Sequence, residues 1–186
     1  MNKDVIHYQE FQAIVDVLKK GYHYYGMTDE LVSFLEKNIQ APLSGINVSN
    51  HNLPLPKADK KRTRNVVAKV PLGPYMFHVV VTVWNETSSG SPIHCHPKFT
   101  AYIALKGEAE VYPCTIVDGA RGVAQSNSEP IKMCKGKTFF GIGTALAKGN
   151  FPHKIGKVSK GTILLHIYSA NAELCDHYKE ISHAKP

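Results

Sequence analysis

From about residue 62 onward the chain is a succession of short β-rich runs broken by Gly, Pro, Asn and Ser. RNVVAKV, YMFHVVVTVW, PIHCHPKFTAYIALK, EAEVYPCTIV, PIKMC, KTFFGI, PHKIGKV and GTILLHIYSA follow one another with turn-like pieces such as PLGP, NETSSGS, DGARGVAQSNSE and SKG between them. β-Branched and aromatic residues suit a pleated, half-buried surface, and turns at this spacing return each run beside an earlier one. The pattern predicts an all-β fold, a small sandwich or closed barrel. The long apolar stretch of YMFHVVVTVW predicts a strand covered on both sides. GTILLHIYSA alternates instead: Ile163, Leu165 and Ile167 share one face, and Leu164, His166 and Tyr168 share the other. That second face is either solvent-facing or the inside of a barrel, and the alternation is the same for both.

The first part of the chain has a different period. Between Tyr8 and Lys20 the apolar residues Phe11, Ile14, Val15 and Leu18 form the stripe of an amphipathic helix that ends at Gly21. A second helix is predicted from Thr28 to Asn38, with Thr28 as cap, Asp29 and Glu30 at the positive end of the dipole, and Leu31, Phe34 and Leu35 as the buried face. Both helices are expected to pack outside the β domain. Residues 1–55 form a helical segment on this reading and residues 56–186 the barrel, the whole being one compact domain, in keeping with 186 residues of which 43% are hydrophobic.

A formal charge of +7 raises the question of nucleic acid. The basic residues are mostly scattered, and the one dense run, Lys57 to Arg64, follows the stiff NLPLP and reads as a solvated lead-in to the barrel. Aromatic interleaving of the kind that binds single strands is absent, so no nucleic-acid partner is expected. No apolar run reaches the roughly 20 residues that span a bilayer, and MNKDVIHYQEF lacks a signal-like apolar stretch, which predicts a cytoplasmic protein with no membrane partner. Cys95, Cys114, Cys134 and Cys175 have no CxxC pairing and are expected to be free thiols.

The chemistry concentrates in SPIHCH. Residues i and i+2 of a strand point the same way, so His94 and His96 project together while Cys95 turns to the opposite face. Two imidazoles so placed can chelate one ion at about 2.0–2.2 Å, although a pair of half-exposed surface histidines has the same spacing. His153 in GNFPHKIGKV adds a third donor if a late strand folds back beside an earlier one. Three neutral imidazoles from two strands would leave the opposite coordination positions open, which suits ligand binding or chemistry rather than a closed structural site.

RTRNVV, then VVVTVWNETSSGSPIHCH, then the lone histidine of PHKIGKV, then LLHIYSANAELC, in that order from about Arg62 to Cys175, resemble the cysteine dioxygenase family, the thiol-dioxygenase branch of the cupins. The resemblance implies a cupin-type β-barrel with His94, His96 and His153 holding Fe(II). The glutamate that general cupins place four or five residues after the second histidine is missing, those places being Thr100 and Ala101. It further implies an oxidoreductase that converts L-cysteine and O2 to cysteine sulfinic acid with no external reductant. Arg64 matches the family arginine that pairs with the substrate carboxylate, a role suited to a guanidinium's two parallel donors. Tyr168 matches the active-site tyrosine, His166 its hydrogen-bonding partner, and Trp84 a pocket wall.

Three departures stand beside these matches. Ala101 takes the place of the cysteine that mammalian members cross-link to the tyrosine and that bacterial members often lack; Leu164 replaces a serine, and Arg62 a tyrosine. They leave the thiol open between L-cysteine, 3-mercaptopropionate and other small thiols. A non-redox metal-binding cupin, an isomerase or a ligand sensor, would share the three histidines without directing Arg64 or Tyr168 at the metal. The expected partners are a small thiol amino acid and O2, with the chain a monomer or weak homo-oligomer.

Overall fold

The computed structural model describes residues 9–48, 53, 62–85, 90–96, 98–126, 129–142, 152–171 and 175–181. Of the basic run Lys57–Arg64, only residues 62–64 lie within them. A 3-10 turn, Gln9–Phe11, leads into α1 (Gln12–Tyr25), followed by α2 (Asp29–Asn38) and the short α3 (Gln40–Ser44). The strands among the described residues are β1 (Arg62–Leu72), β2 (Tyr75–Trp84), β3 (Ile93–Cys95), β4 (Phe99–Lys106), β5 (Ala109–Asp118), β6 (Val123–Ser126), β7 (Ile131–Met133), β8 (Thr138–Ile142), β9 (His153–Val158), β10 (Ile163–Tyr168) and β11 (Asp176–Glu180). One sheet runs β1-β2-β10-β4-β8 and the other β6-β11-β3-β9-β5-β7. Trp84, Tyr102, Ala104 and Leu164 of the first sheet pack on Val111, Met133, Ile155 and Val158 of the second. The result is the expected all-β barrel with helices outside.

Those helices explain the apolar rows of the first sheet. Ile14 and Leu18 of α1 and Leu31 and Leu35 of α2 are fully buried against Phe77, Val79, Val81, Phe99, Ile103, Leu165 and Ile167. Each such side chain contributes about 1.5–3 kcal/mol on leaving water. The first helix does not stop at Gly21. It continues to Tyr25, because Gly21 is a close-approach position: a Cβ there would lie 2.7 Å from Cδ1 of Phe34 and 2.9 Å from Cδ1 of Leu31. The chain turns instead at Gly26, with φ 61°. Thr28 precedes α2 in extended conformation, but its hydroxyl donates to the Tyr25 carbonyl at 3.0 Å rather than capping the helix.

Two strand expectations change. PIHCHPKFTAYIALK is not one run: β3 belongs to the six-stranded sheet and β4 to the five-stranded one, with Lys98 between them at φ 56°. A chain crossing between sheets must break its ladder, and period alone does not mark where. In addition, β6 lies in a stretch expected as a turn, and β11 in the tail. The sequence of β11, DHYKE, has no apolar alternation to reveal it, and only pairing with β3 and β6 makes it a strand. The ambiguity in β10 is resolved by burial, since all six of its residues are buried. Ile163, Leu165 and Ile167 face the helices, while Leu164 joins the cluster between the sheets.

Candidate functional site

β3 and β9 bring the histidines together. His94 and His153 are direct cross-strand partners, which places their Cβ atoms about 5 Å apart, and His96 follows just beyond the end of β3. The ring centroids of His94 lie 5.0 Å from His96 and 4.6 Å from His153. One donor nitrogen from each of the three falls within 4.8 Å of the others, and all three side chains are buried. His94 Nδ1 lies 2.8 Å from the Pro92 carbonyl oxygen, an acceptor only, so Nδ1 carries the proton and Nε2 keeps its lone pair. Burial pulls His94 down to about 4, which makes it neutral at pH 7. Three buried imidazoles brought together by adjacent strands suit a divalent transition ion. Cys95 turns away, as its position in the strand requires, and its sulfur lies 3.6 Å from the Tyr178 hydroxyl.

The facing wall comes from β10 and β4. The Tyr168 hydroxyl and His166 Nδ1 share a hydrogen bond of 2.9 Å, and their rings are stacked at 14°. The Tyr168 ring sits 4.3 Å from that of His96, centroid to centroid. Burial, then the charges of Arg64 and Arg62, push His166 well below the usual imidazole range, so it is neutral. Burial raises Tyr168, against the opposing pull of Arg64, and keeps it a phenol. Both residues therefore enter the site uncharged, coupled by one proton.

Tyr102 is a site residue that sequence reasoning missed. Its hydroxyl shares a 2.6 Å hydrogen bond with Nε2 of His153, and its ring lies 4.7 Å from His166. Burial holds its hydroxyl well above the usual phenol range. The available signal was the alternation of FTAYIALK, in which Phe99, Ala101, Ile103 and Leu105 join the helix-side core. A tyrosine on the other face of such a strand points between the sheets. The same register corrects the position opposite the tyrosine: Ala101 pairs with Ile167 and faces the helices, and the residue beside Tyr168 is Thr100. Neither residue carries a thiol.

Register also places the arginines. The row Val66–Val80–His166–Tyr102 crosses the first sheet from β1 to β4, and the next row is Arg64–Thr82–Leu164–Ala104. Beyond it, Arg62 pairs with Trp84. Arg62 and Arg64 thus project from the sheet face that also bears His166, Tyr168 and Tyr102. Both are half-buried rather than the solvated lead-in expected of a basic run. The Arg62 guanidinium lies 5.1 Å from the centroid of the Trp84 ring, which is itself buried in the wall between the sheets. On the other side, His177 of β11 is the register partner of His94, with ring centroids 6.1 Å apart, and its Nε2 is 3.3 Å from Sγ of Cys175.

His94, His96, His153, His166 and Tyr168 therefore meet in the interior between the two sheets, and Arg64 lies on the same face of the first sheet as His166 and Tyr168. The donor set can hold a metal ion, with an arginine and a phenol on the adjoining wall.

No family model matches the chain, and no curated protein matches it. Among solved structures it is similar to KdgF from Halomonas sp., at 15% identity over 67% of this chain and 92% of that one, with a TM-score of 0.45. It is also similar to a cupin superfamily protein from Desulfitobacterium hafniense, at 13% identity over 69% of this chain and 87% of the other, with a TM-score of 0.41. A salicylate 1,2-dioxygenase variant from Pseudoaminobacter salicylatoxidans, in complex with gentisate, is 12% identical over 62% of this chain and 27% of its own, with a TM-score of 0.40.

Proposed function

We propose that the chain is an iron-dependent thiol dioxygenase that acts on a small carboxylated thiol, L-cysteine being the first to test and 3-mercaptopropionate the second. The observation that carries this reading is the convergence of a carboxylate-free donor set, His94, His96 and His153, with Tyr168, whose ring lies 4.3 Å from that of His96 and whose hydroxyl is hydrogen-bonded to His166. Ferrous iron, when bound, supplies the site at which a thiolate and O2 meet and exchange electrons. The neutral imidazoles add no negative charge, which favours an anionic sulfur. Arg64 offers parallel N–H donors to the substrate carboxylate. With His166 Nδ1–H donating to its oxygen, the Tyr168 hydroxyl would give its own proton to an oxygen or sulfur atom of the substrate. Burial of the histidines and of Tyr168 keeps bulk water from competing for them. The reaction is RSH + O2 → RSO2H: the thiol is oxidised, both oxygen atoms end on sulfur, and no other reductant is needed.

Oxygen uptake by protein reconstituted with ferrous iron, measured with each thiol in turn, tests the proposal. One sulfinic acid formed per O2 consumed is the expected result. The absence of uptake with any small carboxylated thiol, together with zinc or nickel as the native metal in elemental analysis, would replace it with a non-redox metal-binding cupin. Substituting Arg64→Ala should raise KM about tenfold or more for carboxylated thiols, with less effect on kcat. An unchanged KM would remove that role from Arg64.

A further inference from the structure

Arg62 has no part in the scheme above, yet it occupies the same sheet face as Arg64, two residues away on β1. Alternate residues of a strand are about 6.8 Å apart, so the two arginines project side by side from one face of β1. Neither has a carboxylate partner: the ion pairs among the described residues are Arg121–Asp118 and Lys154–Glu180, both away from β1. Among the described residues, the neighbours of the arginines on this sheet face are His166, Tyr102, Tyr168 and, in their own rows, Thr82 and Trp84, none of them an acid. Trp84 offers Arg62 the face of a π-system 5.1 Å away, which holds the cation in place but accepts none of its five N–H groups. Two half-buried cations with open donors, beside a metal site without anionic ligands, form a region that a single carboxylate leaves positive. A substrate ammonium in that region would be repelled, whereas a second acidic group would be attracted.

We infer that Arg62 is a second anion-binding residue of the chamber and that the preferred thiol carries two acidic groups, one for each arginine. The inference rests on the thiol-dioxygenase reading for the sulfur and on the arginine pair alone for the two acids.

Calorimetric titration with succinate and propionate, which carry two and one carboxylates and no thiol, reads the arginine pair without catalysis. Succinate should bind at least about tenfold more tightly than propionate. Arg62→Gln should abolish that preference, and Arg62→Lys should retain part of it. In the parallel oxygen-uptake assay, mercaptosuccinate should exceed 3-mercaptopropionate and L-cysteine in kcat/KM, again by about tenfold. Equal affinity for the two acids, or a preference that survives Arg62→Gln, would overturn the inference; a lowered Tm with the preference intact would show Arg62 to be only a packing partner of Trp84. Should Arg62→Gln fail to fold, Arg62→Lys with the two-acid comparison in the unaltered protein decides the matter. A strong succinate preference without oxidation of any thiol would uphold the dianion site and overturn the thiol assignment, separating the two failures.

Discussion

The two faces of β10 are equally buried and chemically opposite. Ile163, Leu165 and Ile167 lie among the helix-side apolar residues, where shape and volume are the only requirements. His166 and Tyr168 lie on the other face, share a hydrogen bond, and stand beside His96. Burial therefore does not by itself separate a core from a site. The distinction lies in what each side chain needs once water is gone: apolar groups need contact, whereas polar groups need a partner of matching chemistry. β3 repeats the contrast over two residues, His94 turning into the chamber and Cys95 to the other side of the sheet.

The contrast predicts that changes on the inner face cost metal and activity, while changes on the helix side cost stability. The largest effect is expected from His153→Ala, which removes one of three donors. Metal affinity should fall by more than the roughly 100-fold typical of losing a supporting group around a ligand, and oxygen uptake should disappear with the fold intact by circular dichroism. Metal retained at full occupancy would remove His153 from the donor set.

Leu165→Ala should do the reverse. Truncating this fully buried side chain is expected to cost about 2–5 kcal/mol in urea unfolding, with metal content per folded molecule unchanged. A loss of metal from protein that remains folded would show that the two faces are coupled.

Acid should also act through the inner face. In the metal-free protein His94 protonates at about 4, well below its ordinary value near 6.5, so the unfolded chain takes up the proton first. Stability is then complete above about pH 6.5 and falls as the pH drops towards 4, by about 3 kcal/mol across the window for this residue. His166, lowered in the same direction, adds to the loss. Urea midpoints between pH 7 and 4.5 should show the decline, and it should be shallower in His94→Asn; an equal slope in that variant would place the effect elsewhere.

Tyr168→Phe gives the smallest change in stability, about 1 kcal/mol for one hydrogen bond, while oxygen uptake drops by about 100-fold if the hydroxyl donates during the reaction. Uptake unaffected by the loss of the hydroxyl would reduce Tyr168 to a packing partner of His96.

Much of this contrast was legible from the chain alone. The helical stripe of Phe11, Ile14, Val15 and Leu18, the alternation in β10, and the shared direction of His94 and His96 follow from the periods of helix and strand, which are local properties of the backbone. A period of two tells which residues share a face but not which face is inside; that depends on what packs against it. Only the helices laid over Leu165 and Ile167 turned His166 and Tyr168 inward, and only the pairing of β10 with β4 brought Tyr102 into line with them. The break between β3 and β4, the β11 strand beside His94, and the placement of Arg62 over Trp84 likewise arise from contacts between residues far apart in the chain or across strands. The sequence by itself determined the strand periods, the two helices and the donor types; the tertiary structure decided which faces meet, because strand pairing is set by packing over the whole domain rather than by neighbours along the chain.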